Sequence, residues 1–326
     1  MRAAFYTRQG PAEEVLEIGE LPTPAPGDGE VRVRLRASGV NPSDWKVRRG
    51  GFGRGLFAPL IIPHSDGAGE IDAVGPNVAK RIGERVWIWN GQWKRAFGTA
   101  AEYITLPSAQ AVYLPDNVGF AAGACLGIPA LTALHAVNLA NLRPKSAVLI
   151  AGGAGAVAHY AIQFAKLRGA RVISTVSEAR KADHARRAGA DEIINYRTEN
   201  VGQRIKALTG GAGVDALIEL DLSGNARLYP EILRAHGIVV VYGTSAGEAN
   251  LPVLWLMQNS IMLKFFLIYE LAETERAALL GELSGLLAGN KLTHAIAQQL
   301  PLDEIAHAHD LSERGEALGN VVLDII

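Results

Sequence analysis

The chain has 326 residues, of which 48% are hydrophobic and 20% are charged. Its length exceeds that of an ordinary single domain and its composition is that of a folded protein, so two domains are expected and disorder is excluded. A formal net charge of −1 excludes a whole-molecule attraction to nucleic acid or to an anionic membrane.

Cysteine usage and the N-terminal residues indicate the compartment. The single cysteine, Cys125, excludes a disulfide framework and a zinc site built from four cysteines. The first residues, MRAAFYTRQG, contain no apolar core of signal-peptide length, and no run reaches the ~20 apolar residues that cross a bilayer. We therefore expect a cytoplasmic protein.

The first third predicts an irregular β domain of about 120 residues, because short strand patterns alternate there with Gly and Pro. In VRVRLRASGV, residues 31–40, apolar residues alternate with three arginines, which predicts a half-buried strand. The arginine stripe could bind RNA, but alternating charge is more typical of a solvated strand face.

From about Phe120 the pattern changes to helices alternating with strands. Two long helices are predicted between the first three strands, and this alternation implies a parallel, doubly wound sheet. The six apolar runs of strand length are AVLIAG, RVISTV, DEIINY, VDALIEL, GIVVVYG and IMLKFFLI. After about Leu271, two helical segments and a final strand, NVVLDII, are predicted.

The segment AGGAGAVAH, after the first parallel strand, has the composition of a dinucleotide-binding loop. Such a loop needs small residues for a tight turn, for close approach to a pyrophosphate, and for helix packing; Gly153, Gly155 and Ala158 occupy these places. The packing place tolerates a methyl group, so Ala158 is compatible with the motif. Small-residue turns also occur without ligands, but here the turn follows a buried strand and opens a helix.

The end of the second strand distinguishes the two nicotinamide cofactors. A carboxylate there accepts from the ribose hydroxyls of NADH, whereas the 2′-phosphate of NADPH requires donors and cations. The strand ends in Ser177, and Arg180 and Lys181 follow shortly after it. Glu178 opposes this assignment, but one residue past the usual position its side chain is expected to face solvent. The pattern favours NADPH.

The whole chain resembles the zinc-free quinone oxidoreductases, the ζ-crystallin-like branch of the medium-chain dehydrogenase/reductase superfamily. The segments that carry the resemblance are SGVNPSDW, PHSDGAGEIDAVG, GTAAEY, LTALHAV, VLIAGGAGAVAHYAIQFAK, INYRTEN and NVVLDI. It implies an α/β fold: a GroES-like β domain over residues 1–121, a Rossmann domain with a six-stranded parallel sheet over 122–266, and a C-terminal segment, 267–326, that completes the first domain. The cofactor would lie in the cleft between the domains.

The resemblance also implies roles for individual residues. Gly153, Gly155, Ala156 and Val157 would line the pyrophosphate, and Ser177, Lys181 and Tyr196 would contact the 2′-phosphate, with Arg180 as a further cation. Tyr196 could alternatively be a half-buried aromatic residue at a strand end. The other implied cofactor contacts are Asn41, Thr132, Gly243, Thr244 and Asn320.

The same resemblance predicts that no catalytic zinc is bound. Asn41 stands at the place of the first zinc ligand, Ser65 at that of the second, and the third falls close to Gly127. Asp66 matches a glutamate, and His64 occupies the place of a glycine, so its ring should point elsewhere. Cys125, about two residues from the third place, is expected to be a small buried hydrophobe.

Without a Lewis acid, stabilisation of an alkoxide is difficult, so the expected reaction is hydride transfer to an electrophilic acceptor. Quinones and α,β-unsaturated carbonyls are the expected substrates. Asn41 is the first candidate to contact the nicotinamide ribose or the substrate, and Asp44 or a water could supply the proton, although Asp44 could also be structural. The candidates for an aromatic acceptor wall, or alternatively for ordinary core or interface packing, are Trp45, Phe52, Trp93, Phe265 and Phe266.

Two alternatives remain open: an enoyl-thioester reductase of the same superfamily, and a nucleotide-occupied protein that binds RNA. The near-neutral charge argues against nucleic acid as a partner. The apolar run IMLKFFLIY would be an exposed edge strand in a monomer, and such edges are usually covered. We therefore expect a homodimer, or a dimer of dimers, joined at this strand.

Overall fold

The computed structural model describes residues 1–51 and 55–325. The chain divides into two compact units, one formed by residues 1–131 together with 280–326 and the other by residues 132–279. Phe52, a predicted substrate residue, lies outside the described residues.

The first unit is built around a mainly antiparallel sheet. Its order is β14-β15-β3-β4-β5-β7, β6 also pairs with β3, and β1 and β2 form a separate pair. With strands numbered along the whole chain, these are β1 (Arg2–Phe5), β2 (Glu17–Glu20), β3 (Glu30–Val40), β4 (Asp66–Val74), β5 (Arg85–Ile88), β6 (Tyr103–Pro107), β7 (Ala111–Tyr113), β14 (Ile296–Pro301) and β15 (Asn320–Asp324).

The alternation in β3 decides which of its faces is buried. Val31, Val33 and Leu35 are fully buried in the core of this unit. On the opposite face Arg32 forms two hydrogen bonds with Asp72, at 2.9 and 3.0 Å, and Arg36 pairs with Glu70. The half-buried strand is therefore confirmed, and two of the three arginines of its stripe are paired with carboxylates on β4.

Short helices and turns connect the strands of the first unit, and one longer helix packs beside its sheet. The helices are α1 (Ala12–Val15), α2 (Pro42–Arg48), α3 (Phe120–Gly123) and α12 (Ile305–Arg314). A π-helical turn, Leu126–Ala130, precedes the second unit.

The second unit contains a six-stranded parallel sheet in the order β10-β9-β8-β11-β12-β13. All five strand pairings are parallel, and this order is that of a dinucleotide-binding doubly wound sheet. The six predicted strands and their parallel arrangement are thus confirmed. They are β8 (Ala147–Ile150), β9 (Arg171–Val176), β10 (Glu192–Asn195), β11 (Val214–Glu219), β12 (Leu233–Val241) and β13 (Met262–Phe265).

Helices cover the sheet of the second unit. In α5, residues 158–165 are all buried, as expected for a helix packed on a sheet and on a neighbouring helix. The helices are α4 (Leu131–Leu139), α5 (Ala156–Leu167), α6 (Ala179–Ala188), α7 (Val201–Leu208), α8 (Leu222–Asn225), α9 (Tyr229–Ile232), α10 (Val253–Gln258) and α11 (Glu273–Ala288), the last of which contains the second division between units.

One strand of the first unit was not predicted. β14 lies between the two predicted C-terminal helices and pairs in parallel with β15. Its residues are half-buried or exposed, so the apolar alternation that identifies a strand is weak there. Within the described residues, no helix has the length and apolar character needed to cross a membrane.

Candidate active site

The loop after β8 is held against the neighbouring strand β9. The backbone N–H of Gly152 donates to Thr175 Oγ1 at 3.1 Å, and that of Gly153 donates to the Thr175 carbonyl at 2.9 Å. Gly152 has φ +68°, so it is Gly152 that makes the tight turn, not Gly153 as predicted. The sequence contains both glycines, and their spacing alone does not tell which one adopts the left-handed conformation.

The three motif positions, Gly153, Gly155 and Ala158, differ in what limits the size of the side chain. A Cβ on Gly153 would lie 2.2 Å from Ser174 Oγ, so protein packing requires glycine there. A Cβ on Gly155 would meet only the Gly152 carbonyl, at 3.4 Å, so the protein itself leaves room. Ala158 is 1% exposed on the packed face of α5. Packing within the protein therefore accounts for the glycine at 153 but not for the glycine at 155.

Side chains able to bind a phosphate gather at the end of β9. Ser177 follows this strand, and Tyr196 follows the neighbouring strand β10 and donates its backbone N–H to the Val176 carbonyl. Lys181, in the first turn of α6, is half-buried, and its ammonium forms no ion pair within the part of the chain that the structure describes. Tyr196 is 52% exposed, and Arg180 and Glu178 are exposed too.

The loop after β12 is fixed by one carboxylate. Asp221 accepts hydrogen bonds from the backbone N–H of Ser245 at 2.8 Å and from its hydroxyl at 2.9 Å, and also from Ser223 Oγ. Gly243 and Thr244, both predicted cofactor contacts, lie in this loop, where Thr244 Oγ1 donates to the Ala246 carbonyl. Asp221 was not predicted, because a carboxylate after a strand has no distinctive spacing signal.

Thr132, in α4, is 4% exposed, and its hydroxyl has no hydrogen-bond partner among the described residues. Buried hydroxyl groups are nearly always hydrogen-bonded, so an unpaired one indicates a missing partner. The hydroxyl is therefore available to a ligand, and the cofactor contact of Thr132 stays a prediction.

Asn41 and Asp44 form the start of α2 in the first unit. Asn41 is the N-cap residue and is 3% exposed, and its backbone N–H donates to Asp44 Oδ2 at 2.7 Å. Burial raises the pKa of Asp44 to about 7, although the hydrogen bond from Asn41 acts in the opposite direction. A carboxyl that titrates near neutral pH can hold or release a proton under ordinary conditions.

Asp66, at the start of β4, holds the Asn41 side chain. Its Oδ2 accepts from Asn41 Nδ2 at 2.9 Å and from the backbone N–H of Ile128 at 3.0 Å. Burial raises the pKa of this carboxyl well above its ordinary value. The Asn41 amide nitrogen donates to Asp66, and the amide oxygen, which takes part in a capping box with the backbone N–H of Asp44, keeps a second lone pair for a ligand.

Asn320 lies beside Asn41. The register that pairs Val321 with Val40 places the next residues outward, Asn320 and Asn41, opposite each other. The Asn320 side chain donates to the Ala295 carbonyl at 2.9 Å. The structure thus brings together the two predicted contact residues of the first unit.

The residues predicted for an acceptor wall differ in exposure and packing within each unit. Trp45 and Trp93 are half-buried, and the indole N–H of Trp45 has no partner among the described residues. Phe265 is 61% exposed at the end of β13, whereas Phe266 packs edge-on against His135 at 4.6 Å between ring centroids. Successive strand residues point to opposite faces, so Phe265 and Phe266 do not share one face.

Comparison with known proteins identifies the family. The chain matches the family models of the alcohol dehydrogenase GroES-like domain over residues 27–116 and of the zinc-binding dehydrogenases over residues 156–283. It is 32% identical to a quinone oxidoreductase of Pseudomonas aeruginosa, over 99% of this chain and 98% of that protein. The chain belongs to the quinone oxidoreductase family of the medium-chain dehydrogenase/reductase superfamily.

Solved structures of similar proteins include two that contain NADPH and one of an alcohol dehydrogenase. The mycobacterial protein Rv1454c, solved with NADPH, matches with a TM-score of 0.89 at 28% identity, over 99% of this chain and all of that one. Escherichia coli quinone oxidoreductase, also solved with NADPH, matches with a TM-score of 0.87 at 26% identity, again over 99% and 100%. An NAD-dependent alcohol dehydrogenase matches with a TM-score of 0.88 at 30% identity over the full length of both chains.

Two of the positions that the resemblance matches to zinc ligands, Asn41 and Gly127, meet the carboxyl of Asp66. Asn41 bonds to Asp66, and a Cβ on Gly127 would lie 2.2 Å from Asp66 Oδ1, so the carboxyl occupies the space that a ligand at 127 would need. His64 points elsewhere, as expected, toward Ser38 and His309. The described residues contain no group of three His, Cys, Asp or Glu side chains able to hold a metal ion.

Cys125 is a buried free thiol, as predicted. Burial raises its pKa well above the ordinary value, and the nearby Asp66 acts in the same direction. The thiol is therefore unreactive at neutral pH and packs as a small hydrophobe.

Proposed function

We propose that this protein is an NADPH-dependent, metal-free reductase that transfers hydride to quinones or other electrophilic α,β-unsaturated carbonyls. The bond between Asn41 and Asp66 carries the proposal, because it holds an amide against a carboxyl at the position that the resemblance matches to the first zinc ligand. An amide and a carboxyl supply hydrogen bonds but no Lewis acid. A quinone needs no Lewis acid, because the negative charge that it gains with the hydride is delocalised.

The residues of the second unit fit NADPH. Gly155 leaves space at the loop, and the hydroxyl of Thr132 is buried without a partner. Ser177, Lys181 and Tyr196 would hold the 2′-phosphate, with Arg180 nearby, and Gly153, Ala156 and Val157 would line the pyrophosphate with Gly155. Gly243 and Thr244 would contact the cofactor from the loop that Asp221 fixes.

When bound, NADPH supplies the hydride. The chain's own contribution is orientation: Asn41 presents its amide oxygen to a ribose hydroxyl or to the substrate, and Asn320 lies beside it. Asp44 is the candidate to hold the proton that the reduced acceptor takes up, since its pKa is about 7. Trp45 and Trp93 would supply aromatic contact with a planar acceptor.

A substrate panel tests this function. We expect NADPH oxidation to depend on 1,4-benzoquinone or 9,10-phenanthrenequinone, with enones as further acceptors, and to continue after dialysis against a chelator. Absence of turnover with every quinone and enone would contradict the proposal. A preference for acyl-CoA or acyl-carrier thioesters would identify an enoyl-thioester reductase.

RNA binding is the alternative of a different class, and the arginine contacts count against it. An RNA patch could include the three arginines of the β3 stripe, Arg32, Arg34 and Arg36, together with Arg48 and Arg49. All of these except Arg34 are ion-paired with carboxylates. Steeply salt-dependent RNA affinity without reductase activity would favour this alternative.

We also propose that two copies join at β13. This strand is the edge of the parallel sheet and pairs only with β12 within the described chain. Met262, Phe265 and Leu267 are 47%, 61% and 49% exposed, respectively. An apolar edge with unpaired backbone groups is suited to pairing with the same strand of a second copy.

A further inference from the structure

A chain of buried polar side chains connects the two ends of α2. Asn41 caps the start of this helix and Arg48 is its last residue. Asn41 binds the Asp66 carboxyl, and Arg48 binds His309 on α12. The side chains between Asp66 and His309 are Thr99, Ser38 and His64, so the whole set forms a closed ring, which we call the α2 ring.

The ring is buried. Ser38, Arg48, His64, Asp66, Thr99 and His309 are each 0% exposed, and Asn41 is 3% exposed. Burial keeps both imidazoles neutral: it lowers the pKa of His64 to about 3 and that of His309 well below its ordinary value, where His64 and Arg48 add to the effect. Each histidine therefore carries one ring proton at neutral pH.

Arg48 decides where that proton is on His309. A guanidinium can only donate, so the contact of 3.3 Å from Arg48 Nε makes His309 Nδ1 an acceptor. The proton of His309 is then on Nε2, which donates to His64 Nε2 at 2.9 Å. His64 consequently carries its own proton on Nδ1.

The hydrogen bonds from His64 onward are donated in the same direction along the ring. His64 Nδ1 donates to Ser38 Oγ at 2.9 Å, and Ser38 donates to Thr99 Oγ1 at 2.8 Å. Thr99 donates to the Asp66 carbonyl at 2.5 Å, which leaves the Thr99 oxygen free to accept from Ser38. Every donor in the series has an acceptor, and reversing one imidazole would leave two donors facing each other.

His64 shows that this arrangement is imposed on the chain. Its φ is +76°, in the left-handed region that disfavours residues with a Cβ, so the contacts of its side chain and backbone hold it in a strained conformation. Its backbone lies two residues before Asp66, whose side chain orients Asn41. The ring thus connects the conformation at His64 to the orientation of the Asn41 amide.

We propose that the α2 ring orients the Asn41 amide, with His309 and Arg48 as positioning residues that act on it from α12 and from the far end of α2. The role in catalysis rests on the proposed function; the proton positions do not. Glu313, on the same face of α12 as His309, supports the ring by accepting from Arg48 at 2.9 Å.

The proton positions are measured first, on the wild-type protein. Nitrogen-15 spectra of histidine-labelled protein at neutral pH, assigned with single variants, should show His309 with its proton on Nε2 and His64 with its proton on Nδ1. His64 protonated on Nε2, or a doubly protonated ring, would overturn the proposed direction. This result does not depend on any activity.

Two substitutions of His309 then test the positioning role. His309→Gln can accept from Arg48 and donate to His64, so it should keep the Nδ1 proton of His64 and most of the activity. His309→Leu can do neither, so His64 should lose that fixed state and kcat should fall by about 10- to 100-fold, the range expected for a displaced contact group.

Melting temperature and NADPH affinity separate the outcomes. A folded His309→Leu variant with the kcat of the wild type overturns the positioning role. If the wild type reduces no acceptor, the proposed function fails. The α2 ring is then still tested by the position of the His64 proton and by NADPH binding, which should be weaker in the folded His309→Leu variant than in the wild type. Unchanged NADPH affinity in that case would overturn it.

Discussion

Replacing Lys181 with alanine should separate the two nicotinamide cofactors. Lys181 lies in the first turn of α6 and forms no ion pair within the described residues, so its ammonium is available for a 2′-phosphate. A hydrogen bond to a charged group contributes about 1.5–3 kcal/mol, which corresponds to a factor of about 10 to 150 in Kd. Because the side chain is only half-buried, solvent screening favours the lower end, about tenfold.

The assay is a fluorescence titration of the wild type and of Lys181→Ala with NADPH and with NADH. We expect weaker NADPH binding and unchanged NADH binding, with a difference that shrinks as the salt concentration rises. Arg186→Ala is the matched control, because it removes an equal charge from the same helix at a residue already paired with Asp183 at 2.9 Å. Equal losses for NADPH and NADH in Lys181→Ala would refute the 2′-phosphate assignment.

Three further predictions concern the loop, Asp44 and the sheet edge. Gly155→Ala should weaken NADPH binding at nearly unchanged melting temperature, whereas Gly153→Ala should lower the melting temperature because its Cβ would approach Ser174 Oγ; the opposite pattern would refute these roles. The folded-state pKa of Asp44 is about 7, above its ordinary value of 3.8, so the unfolded chain loses this proton first and the free energy of unfolding falls as pH rises from about 4 to 7. Asp44→Asn should reduce that fall, and an unchanged pH dependence of the melting temperature would contradict the assignment. At the edge strand, a double variant Met262→Lys and Phe265→Lys should be monomeric by light scattering where the wild type is a dimer; a monomeric wild type would refute the proposed interface.

The parallel sheet could be predicted from the sequence because its central strands are largely buried and its edge strands, although half-buried or exposed, are also apolar in sequence. Such strands appear as short apolar runs, and all six runs in the second unit form the strands that they predict. β14 lacks that signal because its side chains are half-buried or exposed and its place depends on pairing with β15, residues 320–324. Pairing between segments distant in the chain has no local pattern.

The residues of the candidate site were named on two grounds: Asn41 and Thr132 from the resemblance, and Lys181 from the cations that follow β9. The structure shows the bond of Asn41 to Asp66, the unpaired hydroxyl of Thr132 and the half-buried side chain of Lys181, and their roles toward a cofactor stay predictions. Asp66 was noted only as the counterpart of a glutamate, since nothing in its local sequence tells that its carboxyl would bind Asn41.

Neither the residue that makes the tight turn nor the α2 ring could be predicted from the sequence. Gly152 and Gly153 are adjacent and chemically identical, and only the backbone angles distinguish their roles. The ring joins His64 to His309 across 245 residues of sequence, and no spacing rule relates two such positions.

The most direct test of the proposed reaction is a transient-kinetic measurement of the rate at which this protein oxidises NADPH in the presence of 9,10-phenanthrenequinone. The protein is first dialysed against a chelator, and the rate is compared with that of NADPH carrying deuterium at the transferred position of the nicotinamide. The proposal predicts quinone-dependent loss of NADPH absorbance with a primary isotope effect and no response to added zinc. Oxidation no faster than in the absence of protein, or activity that appears only when zinc is restored, would contradict it.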